Sequence, residues 1–281
     1  MSFLRNNLSN KILFEATKSI LARNERFKDI HKGESCYIFG NGASIKYFDL
    51  EQFNDRITIG CGLLFLHKDF KKLNTRYYYT GHPFFYYPFW VNPYSLSFEK
   101  NILGSIYKSD IFSHQNIEYF VSLTNFLGLY GKNINYLYHY DETISSFEGT
   151  DLSKRFTFME SALSAMLGIA VYMGFKDIIL VGCDYASSPK MNGHFYEYGN
   201  RPLTKHKHIY TEKPLLAINE YVNLRTVTIN DGFTGDIVNE VEYKTLMKQE
   251  LNYSENNEII ESSALIALDE TNMNYRIFSE K

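Results

Sequence analysis

Two spacings of apolar positions divide the 281-residue chain. Over residues 1–30, Phe3, Leu4, Leu8, Ile12, Leu13, Ala16, Ile20 and Leu21 recur three or four apart, which predicts an amphipathic helix. Its other face carries Arg5, Lys11, Lys18, Arg23 and Arg26. A basic amphipathic helix can lie on an anionic membrane surface, or pack on its own domain or a neighbouring subunit. From Gly33 onward the pattern changes to short apolar runs bounded by turn residues. These predict strands at 36–39, 56–61, 76–80, 117–123, 134–138, 178–181 and 224–229, with continuous apolar runs marking strands covered on both faces. A long apolar stretch over 159–173, ended by Gly174, predicts a buried helix. Strands alternating with helices imply an α/β chain with a mostly parallel sheet. The expected organisation is the helix at 1–30, one Rossmann-like domain at 31–245 and a closing segment at 246–281.

Residues 185–213 break the pattern. They hold Lys190, Arg201, Lys205, Lys207 and Lys213 against Glu197 and Glu212, with three of the eight histidines. A loop this long inside a compact domain reads as a functional lid or as a solvated surface loop. A basic, aromatic, histidine-bearing lid suits an anionic ligand.

Ligands of parallel sheets bind at the carboxyl ends of the strands. Four turn-rich segments fall there: 40–44, 60–62, 80–83 and 182–185. The first is the most informative. After Tyr37-Ile38-Phe39 the chain turns through Gly40-Asn41-Gly42-Ala43-Ser44, followed by a helix-compatible stretch at 45–53. Glycines permit a sharp turn and close backbone approach, and a helix start offers unpaired N–H groups to an anion. Ser44 is placed to cap that helix or to touch a phosphate. The same residues also make an ordinary tight turn, and the full dinucleotide and Walker patterns are absent.

Composition narrows the function classes. Net charge is −3, so there is no global attraction to nucleic acid. The 23 Tyr and 22 Phe supply flat apolar faces, and Tyr adds hydroxyls suited to sugars and bases. Cys36, Cys61 and Cys183 lie in strand-like contexts without a C-x-x-C pair, which predicts buried free thiols rather than a metal site. No signal peptide and no apolar run of membrane-spanning length is evident. A cytoplasmic protein is expected, with peripheral contact at the inner membrane or homo-oligomer formation left open.

Two blocks together resemble the family 42 bacterial sialyltransferases. The first is Gly40-Asn41-Gly42-Ala43-Ser44. The second runs from Ser161-Ala162-Leu163 to Gly174-Phe175-Lys176-Asp177-Ile178-Ile179-Leu180-Val181-Gly182-Cys183-Asp184-Tyr185. The same scaffold, a GT-A-like variant, is shared by pterin pyrophosphokinase-like proteins and flagellin-glycosylation accessory factors. The resemblance implies a nucleotide-sugar donor, a cytidine monophosphate sugar of sialic or Kdo type, with no other cofactor. It implies donor contacts from Gly40, Asn41, Gly42 and Ser44. Gly62 and Thr80 stand where the family carries asparagines. Ser161 opens the nucleotide-side helix. Asp184 follows Gly182-Cys183 at the end of the 178–181 strand, where it either contacts the sugar or fixes the lid. Tyr185 and Tyr196 match the family's phosphate tyrosines, and His206 or His208 its base.

Inverting glycosyl transfer needs a base near neutral pKa and stabilisation of the departing phosphate. Histidine meets the first need. The chain holds no Asp-x-Asp pair for a metal-bound donor, so tyrosine hydroxyls, helix N-termini and lid lysines would meet the second. The expected activity is a metal-independent glycosyltransferase acting on a glycan acceptor in lipopolysaccharide or capsule assembly. A nucleotide pyrophosphokinase-like enzyme and a non-catalytic accessory protein of glycan assembly are the alternatives.

Overall fold

The computed structural model describes residues 12, 14–86, 102–139, 147–159, 161–191, 193–197, 209–235 and 237–269. His206 and His208 lie outside them, as do Lys205, Lys207 and, of the predicted basic face, Arg5 and Lys11.

The strands are β1 (Ser35–Phe39), β2 (Ile57–Cys61), β3 (Thr75–Thr80), β4 (Glu118–Ser122), β5 (Ile134–Leu137), β6 (Asp177–Val181), β7 (Ser187–Ser188), β8 (Asn223–Thr228), β9 (Thr234–Gly235) and β10 (Asn239–Glu242). Eight form one sheet in the order β10-β8-β6-β1-β2-β3-β4-β5, and every pairing in it is parallel. β7 and β9 form a separate antiparallel pair. The helices are α1 (residues 14–22), α2 (Ile102–Ser113), α3 (Ala162–Tyr172), α4 (Ile209–Asn219), α5 (Tyr243–Met247), α6 (Asn256–Ile259) and α7 (residues 262–269). The chain is an α/β protein with a Rossmann-like parallel sheet.

Each strand alternates between two cores. Tyr37 and Phe39 of β1, Tyr78 of β3 and Ile179 and Val181 of β6 enter one core with α2. Cys36, Ile38, Tyr77, Tyr79, Ile178 and Leu180 enter the other with α3 and α4. The tyrosine run at 77–79 therefore serves packing on both faces. All three cysteines are free and buried.

The seven predicted strands coincide with β1–β6 and β8. β10 was not anticipated. Its sequence, Asn-Glu-Val-Glu, reads as polar because it forms a partly exposed sheet edge, where charge discourages further pairing. The continuous helix expected at 45–53 is instead two 3-10 turns, Ala43–Tyr47 and Leu50–Phe53. Phe48 and Asp49 between them are extended, and Asp49 accepts the Glu51 N–H through its side chain. The predicted lid ends inside α4, and its first part contains β7.

The first helix is partly as expected. After α1 the chain tightens into a 3-10 turn, Arg23–Phe27, that docks on its own sheet. Leu21 and Phe27 are buried, and Asn24 donates to the Tyr136 and Leu152 carbonyls at 2.8 Å each. Arg26 pairs with Glu118 at 2.8 Å. Among the described residues no helix is long and apolar enough to cross a membrane.

Candidate functional site

The strand order reverses between β1 and β6. The connections leaving β1, β2 and β3 cover one face through Ile45, Phe48, Leu64 and Tyr107. The connection leaving β6 covers the other through Leu215 and Ile218 of α4. Neighbouring connections that diverge to opposite faces leave a crevice at the strand ends, the usual ligand position in an open parallel sheet. The Gly40–Ser44 turn and the Gly182–Tyr185 turn meet there, about 140 residues apart in sequence.

Backbone contact joins the two turns. Gly40 N–H donates to the Val181 carbonyl at 2.8 Å, and Gly42 N–H to the Gly182 carbonyl at 2.7 Å. A Cβ at Gly40 would run into the Gly182 carbonyl, and one at Gly42 into the Asp184 carboxyl group. These two glycines are needed for close approach. Neither has positive φ, whereas Gly182 does, at +64°.

Asp184 is the electrostatic centre. It is buried, and its carboxyl group accepts the Ser44 N–H at 2.9 Å and the Ser44 hydroxyl. Burial pushes its pKa up to about 6, against the opposing pull of its Ser44 hydrogen bonds and the nearby His194 charge. Of the two roles expected for Asp184, its bonds fit fastening. It ties down the Gly turn rather than a more distant lid segment. Ser44 thereby has both donors committed inside the protein.

Asn41 is also committed. Its amide donates to the Cys61 carbonyl at 3.0 Å, and its side-chain oxygen accepts the Leu63 N–H at 3.0 Å, tying β1 to the end of β2. Gly62, at φ +59°, leaves room for that side chain, since a Cβ there would strike the Asn41 carboxamide. Asn41 fills the space an asparagine at 62 would need. Thr80 is buried and bonded to the Tyr86 hydroxyl. Ser161 caps α3 in a reciprocal box with Ser164, at 3.1 Å and 2.9 Å.

A strap within the predicted lid, His194–Glu197, crosses the Gly turn. Gly42 and His194 form an antiparallel bridge, and Phe195 N–H donates to the Asn41 carbonyl at 3.0 Å. His194 Nδ1 lies 2.6 Å from Glu197 Oε1, and its ring stacks on Tyr196 at 5.0 Å and 8°. The strap is fixed from behind. Asn256 donates to the Phe195 and Glu197 carbonyls, and Lys46 Nζ donates to the Glu197 carbonyl at 3.0 Å. Tyr185 is half-buried beside it, its pKa raised by burial and then by the Glu197 and Asp184 charges. The sequence analysis singled out Tyr196 within this segment but not His194 and Glu197, for which the signal was the His-x-x-Glu spacing at 194–197.

The structure thus brings together Gly40, Asn41, Gly42, Ser44, Gly62, Asp184 and the His194–Glu197 strap, which includes Tyr196, with Tyr185 alongside. Thr80 and Ser161 stand at other points of the same edge. Among the described residues no cluster of three His, Cys, Asp or Glu side chains is placed to hold a metal. Comparison with protein-family models, with curated proteins and with solved structures finds no match to the chain.

Proposed function

We propose that this protein is a glycosyltransferase that binds a nucleotide-activated acidic sugar, of the cytidine monophosphate type, in the β1/β6 crevice and transfers the sugar without a metal. The observation that carries the reading is the meeting of the Gly40–Ser44 and Gly182–Tyr185 turns where the strand order reverses. The glycines let the two turns pack against each other, and the rings of His194 and Tyr196 are carried across the Gly turn by the strap. In this reading the turn supplies shape, and the side chains around it supply contacts to phosphate and sugar. The resemblance to family 42 sialyltransferases supports the donor class.

A metal-free panel of cytidine, uridine and guanosine nucleotide sugars tests this. The expected result is a rise in Tm with a cytidine monophosphate sugar, and turnover of that donor. No Tm shift and no turnover with any member of the panel overturns the reading.

One observation favours a second reading, the accessory binding protein. Asn41 and Ser44 spend their hydrogen-bonding groups internally. Ligand-induced stabilisation without turnover would select it.

A further inference from the structure

We propose that His194 and Glu197 form the acid–base dyad of this crevice, with His194 Nε2 taking the proton from the acceptor hydroxyl. The proposal rests on the glycosyl-transfer reading and assigns its base to a residue whose position is described.

The geometry meets three requirements of a base. First, the imidazole is oriented. Its Nδ1 faces Glu197 Oε1 at 2.6 Å, which selects the tautomer with the proton on Nδ1 and leaves Nε2 as the free lone pair. Second, Nε2 is available. Among the described residues no hydrogen bond reaches it, and the His194 side chain is 32% exposed. Third, the ring is held in place. Tyr196 stacks on it, and Glu197 is anchored through its carbonyl by Lys46 and Asn256.

The dyad also points at the crevice. Residues paired across an antiparallel bridge project to the same side of the sheet. His194 is paired with Gly42, whose missing side chain would project onto the Asp184 carboxyl group. His194 therefore stands on the Asp184 side of the turn, in keeping with the influence of its charge on that carboxyl group.

The step balances. The acceptor oxygen forms a bond to the anomeric carbon as its proton passes to Nε2. The bond from that carbon to the nucleotide phosphate breaks, and its electron pair leaves with the phosphate. Glu197 stabilises the imidazolium. It acts through His194, as a positioning residue.

The test compares His194→Ala, His194→Gln and Glu197→Gln with the wild-type chain, using the metal-free nucleotide-sugar panel. Tm without ligand verifies folding, and the glutamine variant preserves bulk should the alanine variant fail. Both His194 variants should keep the donor-induced Tm shift and lose transfer by about 10²–10⁴-fold. Glu197→Gln should keep the donor-induced Tm shift and lower kcat with the donor KM unchanged; a purely structural role would weaken donor binding and turnover together. Donor binding by the wild type with undiminished transfer in a folded His194 variant overturns the dyad and spares the glycosyl-transfer reading. Absence of any donor-induced shift in the wild type overturns both. An unchanged kcat in Glu197→Gln overturns the orienting role of that residue.

Discussion

Two turns at the carboxyl edge of the sheet begin alike and end differently. After β1 the chain turns through Gly40-Asn41-Gly42, and after β3 through Gly81-His82-Pro83. At the second, the groups close on one another. Thr80 bonds the Tyr86 hydroxyl, and Asn125 accepts the Tyr86 N–H at 3.2 Å and donates to the His82 carbonyl at 2.8 Å. At the first, a buried carboxyl group and a strap bearing an oriented imidazole meet around a turn of minimal bulk. The difference follows from topology. β2, β3 and β4 send their connections to the same face, so those connections pack together, whereas those leaving β1 and β6 diverge. A turn signal in the sequence marks both corners, and strand order makes only one of them a crevice.

The largest expected effect breaks the open corner outright. In Gly40→Val, a branched side chain meets the Gly182 backbone, which cannot swing aside. Destabilisation of about 3 kcal/mol or more is expected in urea unfolding, with loss of any nucleotide-induced Tm shift. A Gly40→Val protein of wild-type stability would show that β1 and β6 are not in the contact described.

Asp184 provides a pH test of nearly the same size. Its folded pKa of about 6 lies above that of an ordinary aspartate, so the folded state holds the proton more tightly than the unfolded state. Stability from this group is therefore present at low pH and lost as pH rises through about 6. Relative to Asp184→Asn, the wild type should gain up to roughly 3 kcal/mol as pH falls from above 6 to below 4. His67 contributes the opposite slope. Buried beside Phe195, it is held down to about 4 by desolvation, so its contribution is lost on acidification. The difference between wild type and Asp184→Asn isolates the carboxyl group. A pH-independent difference would contradict the burial assigned to Asp184.

Two asparagines sharpen the comparison. Asn41→Ala and Asn125→Ala each leave buried backbone groups without a partner, at a cost of about 1–3 kcal/mol. Only Asn41→Ala should also weaken nucleotide-sugar binding, measured by calorimetry. Equal losses of binding in both would mean that the two corners are not functionally distinct. The smallest effect is expected for Thr80→Val, about 1 kcal/mol from the lost Tyr86 bond, with donor binding unchanged.

The elements most legible in the sequence were those with local causes. Runs rich in apolar and aromatic residues, bounded by turn residues, located β1–β6 and β8, because a strand covered on both faces buries most of its successive side chains. The apolar stretch ending at Gly174 located α3, and the lack of a long apolar run matched the absence of a membrane-spanning helix among the described residues. The Gly-Asn-Gly turn was recognisable for the same reason, since glycine's lack of a Cβ is a property of the residue. Local signals failed where a partner distant in sequence decides the outcome. β10 is polar yet is recruited by β8, and the 45–53 stretch has helical spacing yet is broken into two turns that fill the core beneath β1. Ser44 meets Asp184 across 140 residues, so its hydroxyl is spent internally rather than left open to a phosphate. Asn41 takes the space above Gly62, and His194 comes to rest opposite Gly42. Residue type and spacing record what a side chain prefers within a few positions. Which groups share a crevice depends on strand order and on the face to which each connection turns, and no local window of the chain contains that information.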